Sequence, residues 1–433
     1  MIQENTQSET RLSAENAFLW HIAHYWRNPS PFPQTNLDWQ IVVQTAIKNK
    51  MPMLLHRYLQ TVGQGLPVAA ADQLEASIAA YQEKATTFTD ALRSYAAQAN
   101  AQAVPTIPLK GLWVAERVYG QPDMRPGHDM DILVQRQDVA RAIQICEELG
   151  FNRYWPGLLP DAYYLRHHLH IELSLTDCWT WIEVHWAFDH PRTLLTIDYD
   201  SIFQRGTSAT LLGAPIHEPA WEDVLLSLSI HLVKHMVFLP TVLESPDLHA
   251  LILADGRMMH FLDVAETVKQ FHDVIDWNLL IDLAHESGAV TSLGAVLQVC
   301  QQLFNAPVPS AVLENLRPVK QDRLTRKLHI EMANHLLGTG KSRLWGFLIE
   351  PNWTLVFRPI RLLDYLTYLL PPQEYLQRRY KNQNSLTRLR HMIGAIAEYI
   401  QLIGDTAINS WRVKRNPLAP DVELPPDSKC HQC

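Results

Sequence analysis

The sequence predicts an α+β protein, with a small mixed sheet set between two helical regions. Apolar residues recur at a 3.6-residue period over about residues 1–103 and again over 218–408. The stretch between them, 104–217, instead carries short β-type runs interrupted by two helix patterns. The last residues, 409–433, hold Pro417, Pro420, Pro425 and Pro426 and read as an unstructured tail.

In the first region Asp38 precedes Trp39, placing a carboxylate where it can cap the free amides of a first helical turn. Val42, Val43, Ala46 and Ile47 then mark one face of that helix. Residues 69–103, rich in Ala and Gln, read as one long helix or two. The opening recurs at Ile275-Asp276-Trp277, followed by Leu279, Leu280, Leu283 and Ala284; one shared helix start is not a solenoid repeat. In the middle region strands are expected at 105–109, 130–134, 151–154, 168–173 and 181–186. The helix pattern 112–119 stops at Gly120. The second, 138–149, lines up Val139, Ile143, Cys146 and Leu149 and stops at Gly150. Thr176-Asp177 separates the last two strands as a hairpin turn.

The 433 residues suffice for two to four domains at roughly 100–200 residues each, and 47% apolar with 19% charged residues is a globular composition. The net charge of −8 excludes a wholly basic nucleic-acid coat protein. Charge is uneven: residues 317–415 hold 17 Lys/Arg against 7 Asp/Glu, leaving 20 against 38 elsewhere. Five scattered cysteines do not make a disulfide scaffold, residues 1–14 lack the apolar core of a signal peptide, and no run of about 18 apolar residues is free of charge. A reduced, cytoplasmic, soluble protein without a transmembrane segment is expected.

The sharpest chemical feature is Asp129-Met130-Asp131 at the head of the apolar run Ile132-Leu133-Val134. Residues two apart on a strand share a face, so the two carboxylates project together. Their mutual repulsion calls for a hard divalent cation such as Mg²⁺, which prefers oxygen ligands and shares them with phosphates. Upstream, Lys110-Gly111 leads from a strand into a helix, where a glycine allows close backbone approach and helix amides favour an anion. Arg125 adds a planar cation for phosphate oxygens. Downstream, Trp181, Glu183 and His185 share one strand face, and Glu183 is a third carboxylate for the cluster; Glu172 on the neighbouring strand competes for that role.

The run Ile107-Pro108-Leu109-Lys110-Gly111, Arg125, Asp129-Met130-Asp131, Gly150-Phe151 and Ile182-Glu183-Val184-His185-Trp186 resembles the uncharacterised bacterial nucleotidyltransferase family, a branch of the polymerase-β-type superfamily. The resemblance covers about residues 37–307 and includes the helical stretch with His231, Lys234, His235 and Asp263. It implies transfer of a nucleoside monophosphate from a nucleoside triphosphate to an acceptor, with Mg²⁺, two ions in all. Mapped by motif, Asp129, Asp131 and Glu183 hold the metal, while Lys110, Gly111 and Arg125 face the triphosphate. One departure stands out: Gly111 is followed by Leu112 where the superfamily usually has Ser, which hands that phosphate contact to Lys110. The acceptor is a hydroxyl on a small molecule, a peptide or a protein. The rival readings are a non-catalytic scaffold that keeps the fold and a metal-dependent hydrolase built on the histidines.

Weaker signals remain. His167, His168 and His170 come near Glu183 and His185 if the hairpin forms, a set read first as ordinary strand histidines because no four-ligand zinc spacing is present. His231 and His235 share a helix face, and Cys430 and Cys433 end the tail without a second pair. The basic rear, with Arg378, Arg379, Lys381, Arg388 and Arg390 beside Tyr365, Tyr368, Tyr375 and Tyr380, is read as a solvated helix face; it has the composition to hold nucleic acid or an acidic partner.

Overall fold

The computed structural model describes residues 12–33, 36–127, 129–153, 160–175, 180–318, 323–338, 368–381 and 385–415. Four helices come first: α1 (Ala14–Tyr25), α2 (Trp39–Lys48), α3 (Pro52–Val62) and α4 (Val68–Ala101). Asp38 caps α2 as its position predicts, its Oδ1 accepting from the amides of Gln40 at 3.0 Å and Ile41 at 3.2 Å. Asp276 makes the same contacts with Asn278 and Leu279. The Ala/Gln-rich stretch is one unbroken helix of 34 residues.

The sheet follows, with strands β1 (Thr106–Pro108), β2 (Met130–Val134), β3 (Asn152–Arg153), β4 (His170–Ser174) and β5 (Trp181–His185) in the order β1-β2-β5-β4-β3. It is mixed: β2 and β5 run parallel, and every other neighbour is antiparallel. Helix α5 (Lys110–Val114) leaves β1 and continues into a π-helical turn, Ala115–Tyr119, stopped by Gly120 at φ 81°. Helix α6 (Val139–Glu148) packs on β5. The β4–β5 pairing is a hairpin, while its turn at 176–179 lies outside the described residues.

Two helices and a hairpin of this region go beyond the expectation. Helices α7 (Asp161–His167) and α8 (Tyr199–Arg205) have seven residues each, too short to show a period. Because α7 occupies 161–167, β4 begins at His170 rather than 168. A separate hairpin pairs β6 (Thr207–Leu211) with β7 (Ala214–Glu218) across Leu212-Gly213, at φ 51° and 84°. Two positive φ values make the tight two-residue turn that matches strand twist; Leu in the first place hides it, since Asn or Gly usually marks it.

The second helical region runs through α9 (Trp221–His235), α10 (Leu239–Val242), α11 (Leu248–Ala254), α12 (Met258–Phe271), α13 (Trp277–Ser287), α14 (Val290–Phe304), α15 (Ser310–Asn315) and α16 (Arg323–Leu336). The main apolar core runs through both helical regions and the sheet, with Leu19, Leu54, Leu92, Ile132, Val184, Leu262 and Val296 shielded from solvent, and a second, smaller one holds Ile107, Leu133, Phe188, Ile202 and Phe203. Each such side chain contributes roughly 1.5–3 kcal/mol by leaving water. The sheet is therefore gripped by helices from both ends of the chain.

The rear helices, Gln373–Tyr380 and Ser385–Arg415, form a separate small core of Tyr368, Tyr375, Leu376, Ala395 and Tyr399. Tyr368 and Tyr375 are buried, and Arg379 donates to the Tyr375 hydroxyl at 2.8 Å. This corrects the solvated helix face in part: those two rings are packing, not surface. Tyr365, residues 361–367 and the tail from Asn416, with Cys430 and Cys433, lie outside the described residues. Among the described residues no helix is long and apolar enough to cross a membrane.

Candidate active site

Alternation along β2, β4 and β5 sorts their side chains by face. Ile132, Ile171, Leu173, Ile182 and Val184 point into the main core, while Asp131, His170, Glu172, Glu183 and His185 point to the opposite face. Register then brings the second set together. Asp131 lies opposite Glu183 across the parallel pair, and Glu183 and His185 lie opposite Glu172 and His170 across the antiparallel one.

Asp129 sits just ahead of β2, and one oxygen from each of Asp129, Asp131 and Glu183 can be chosen so that all lie within 4.8 Å of one another. Of the two carboxylates that competed for the third place, Glu183 joins this group. Glu172 instead faces His170, with Oε1 3.3 Å from its Nε2.

The cations expected at the phosphate take different positions. Lys110, at the start of α5, turns its Nζ onto the carboxylates, 3.0 Å from Asp131 Oδ2 and 4.0 Å from Asp129 Oδ2. Burial alone would lower its pKa, but Asp129, Asp131 and Glu183 outweigh it and hold Lys110 above the usual lysine range. Gly111 adopts φ 51°, a left-handed conformation that favours glycine, and a Cβ there would lie 3.7 Å from the Asp129 carbonyl oxygen. The amide of Leu109 donates to the Asp131 carbonyl at 3.0 Å, tying that corner to β2.

Arg125 is buried and engaged by Asp263 on α12, its Nε donating to Oδ2 at 2.9 Å; Tyr119 donates its hydroxyl to Oδ1 at 3.2 Å. The guanidinium thus anchors the loop before β2 to the helical region, beside the carboxylates. A groove next to Asp129 is lined by Tyr81, Lys84, Phe88, Leu112 and Arg125.

Burial, and then the Asp131 charge, push the Asp129 carboxyl up to about 6. Glu183 moves the other way despite its burial: the charge of His170, then the hydrogen bond and charge of His185, hold it well below the usual carboxylate range. His170 is raised to about 9, with burial opposing and Glu183 and Glu172 prevailing.

The other histidines divide. His167 binds Asp405 on the rear helix at 3.0 Å, and His168 packs against Tyr163, Tyr164 and His190, so neither joins the carboxylates. His231 meets His235 edge-to-face and stacks on His260, with ring centroids 4.6 and 5.8 Å away. Burial and then nearby cations depress all three, His235 to about 2. Among those cations is Lys50, in the turn between α2 and α3, which also bears on Asp129. No motif marks Lys50; its φ of 58° shows only in the folded chain.

The arrangement can neutralise and orient a polyanion: carboxylates to hold a hard cation, Lys110 within their reach, and a glycine turn for close approach. The model of a family described as uncharacterised nucleotidyltransferase matches residues 35–305, more than half of the chain. No curated protein and no solved structure matches. The chain belongs to the uncharacterised nucleotidyltransferase family, and it is a transferase of nucleotidyl groups.

Proposed function

We propose that the protein transfers a nucleoside monophosphate from a nucleoside triphosphate to a hydroxyl on a small molecule, peptide or protein, with Mg²⁺ bound by Asp129, Asp131 and Glu183. The observation that carries this reading is the convergence of those three carboxylates within 4.8 Å, from β2, β5 and the loop between α5 and β2. The donor set fits the ion: all oxygen, with Asp131 2% exposed. When bound, Mg²⁺ supplies Lewis acidity toward the phosphoryl oxygens and the acceptor oxygen.

The acceptor oxygen forms a bond to the α-phosphorus, the bond from that phosphorus to the bridging oxygen of the β-phosphate breaks, pyrophosphate leaves, and the hydroxyl proton passes to solvent. Lys110 keeps Asp129 and Asp131 from repelling each other and, at the head of α5, is placed to pair with phosphate oxygens. Gly111 lets the backbone approach them. Arg125, engaged by Asp263, acts by fixing the loop that presents Asp129. The test is incubation of the purified chain with each labelled nucleoside triphosphate, Mg²⁺ and cell extract, followed by identification of whatever carries label. Transfer by the native chain and none by Asp131→Asn is the expected result; equal labelling by both overturns the assignment.

A further inference from the structure

We propose that His170 Nδ1, His185 Nε2, Glu183 Oε2 and Asp131 Oδ1 form a mixed nitrogen–oxygen site for a first-row transition-metal ion, adjoining the three-carboxylate cluster and sharing two of its residues. His170, Glu183 and His185 each offer a ligand atom within 4.8 Å of the other two. His185 Nε2 lies 2.9 Å from Asp131 Oδ1 and 3.0 Å from Glu183 Oε2, and His170 Nδ1 lies 3.2 Å from the same Glu183 oxygen. Those separations match the edge of an octahedron with metal–ligand bonds of about 2.1 Å, which is about 3.0 Å.

The outer nitrogen of each ring is held by an oxygen that can only accept. His170 Nε2 faces Glu172 Oε1 at 3.3 Å, and His185 Nδ1 faces the Ala187 carbonyl at 3.3 Å. The inner nitrogens, His170 Nδ1 and His185 Nε2, converge on carboxylate oxygens, so a cation that displaces the protons between them meets four donor atoms at once. His170 Nδ1 is buried without a hydrogen bond of normal geometry. Acceptors that orient the far nitrogen of a histidine are the usual support of a metal ligand. The strands fix the rest: His170 is opposite His185, and Asp131 is opposite Glu183, on three adjacent strands. Two imidazoles with two carboxylates select a borderline cation over Mg²⁺, which favours oxygen alone.

This inference stands apart from nucleotidyl transfer and is tested without nucleotide. Titration of the full chain with Co²⁺ should give the visible bands of nitrogen-ligated cobalt, displaced by one equivalent of Zn²⁺ and not by excess Mg²⁺. His170→Ala and His185→Ala should each weaken Co²⁺ binding at least about 100-fold, and Glu172→Gln about 10-fold, with circular dichroism showing each variant folded. Where an alanine variant fails to fold, His170→Gln or His185→Gln takes its place. A cobalt spectrum of all-oxygen ligation, or binding unchanged by the histidine variants, overturns the site. Mg²⁺-dependent protection by nucleotide without a cobalt band overturns it while leaving the transferase reading intact; a band without nucleotide protection does the reverse.

Discussion

The two faces of the central sheet are built from the same three strands and could hardly differ more. On one, Ile132, Ile171, Leu173, Ile182 and Val184 are without solvent exposure. On the other, one residue away at each step, Asp131, His170, Glu172, Glu183 and His185 gather charge. The apolar face is gripped by helices from both ends of the chain, and that grip holds the polar face in register. Positioning is most of what phosphoryl chemistry asks of a protein, and here it comes from packing on the far side.

The contrast breaks most sharply at Asp131. Asp131→Asn should cut transfer more than about 10⁴-fold, over 5 kcal/mol of barrier, while thermal unfolding shows the fold kept. Chemistry and stability would then sit on opposite faces; an active variant would refute the assignment. Asp263→Ala should instead destabilise by about 4 kcal/mol in urea unfolding, because it leaves the buried Arg125 guanidinium unpaired. Ile132→Ala, on the apolar face, should cost about 3 kcal/mol by the same measurement and lower transfer only as far as the register loosens.

Acidity sharpens the comparison on the polar face alone. Asp129 is raised from its ordinary 3.8 to about 6, so stability from its protonated form is full below about pH 3.8 and lost as pH rises through about 6. A divalent cation competes with that proton. The Mg²⁺-induced rise in melting temperature should therefore be full above pH 7 and fade as pH falls through about 6, read by thermal shift across a buffer series. The smallest effect lies off the sheet: Asp38→Ala should lower stability by about 1 kcal/mol through loss of the α2 cap and leave transfer unchanged.

What could be read in advance follows the range of the cause. The Asp129–Asp131 pair, the Asp38 and Asp276 caps and the Gly120 stop depend on neighbours within a turn or a strand step, and each is written locally. The choice between Glu172 and Glu183 depends on the parallel β2–β5 register, which no turn residue encodes; the neighbouring chemistry and the family resemblance favoured Glu183. Arg125 was expected at the phosphate; its pairing with Asp263, 138 positions away, leaves no mark beside it in the sequence. The β6–β7 turn was missed because Leu212 takes a conformation that its side chain does not advertise. The histidine arrangement around Glu183 needed a cross-strand pairing, since His170 and His185 have no motif spacing.

The ammonium of Lys110 against Asp131 has a consequence for how the protein is made and handled. Three crowded acids would ordinarily make assembly depend on an ion arriving first, as in small domains that collapse when a chelator removes their metal. Here a side chain of the polypeptide already offsets that crowding. Synthesis and ion loading become separate events, so a preparation stripped with EDTA should stay folded and regain its cation on simple dialysis.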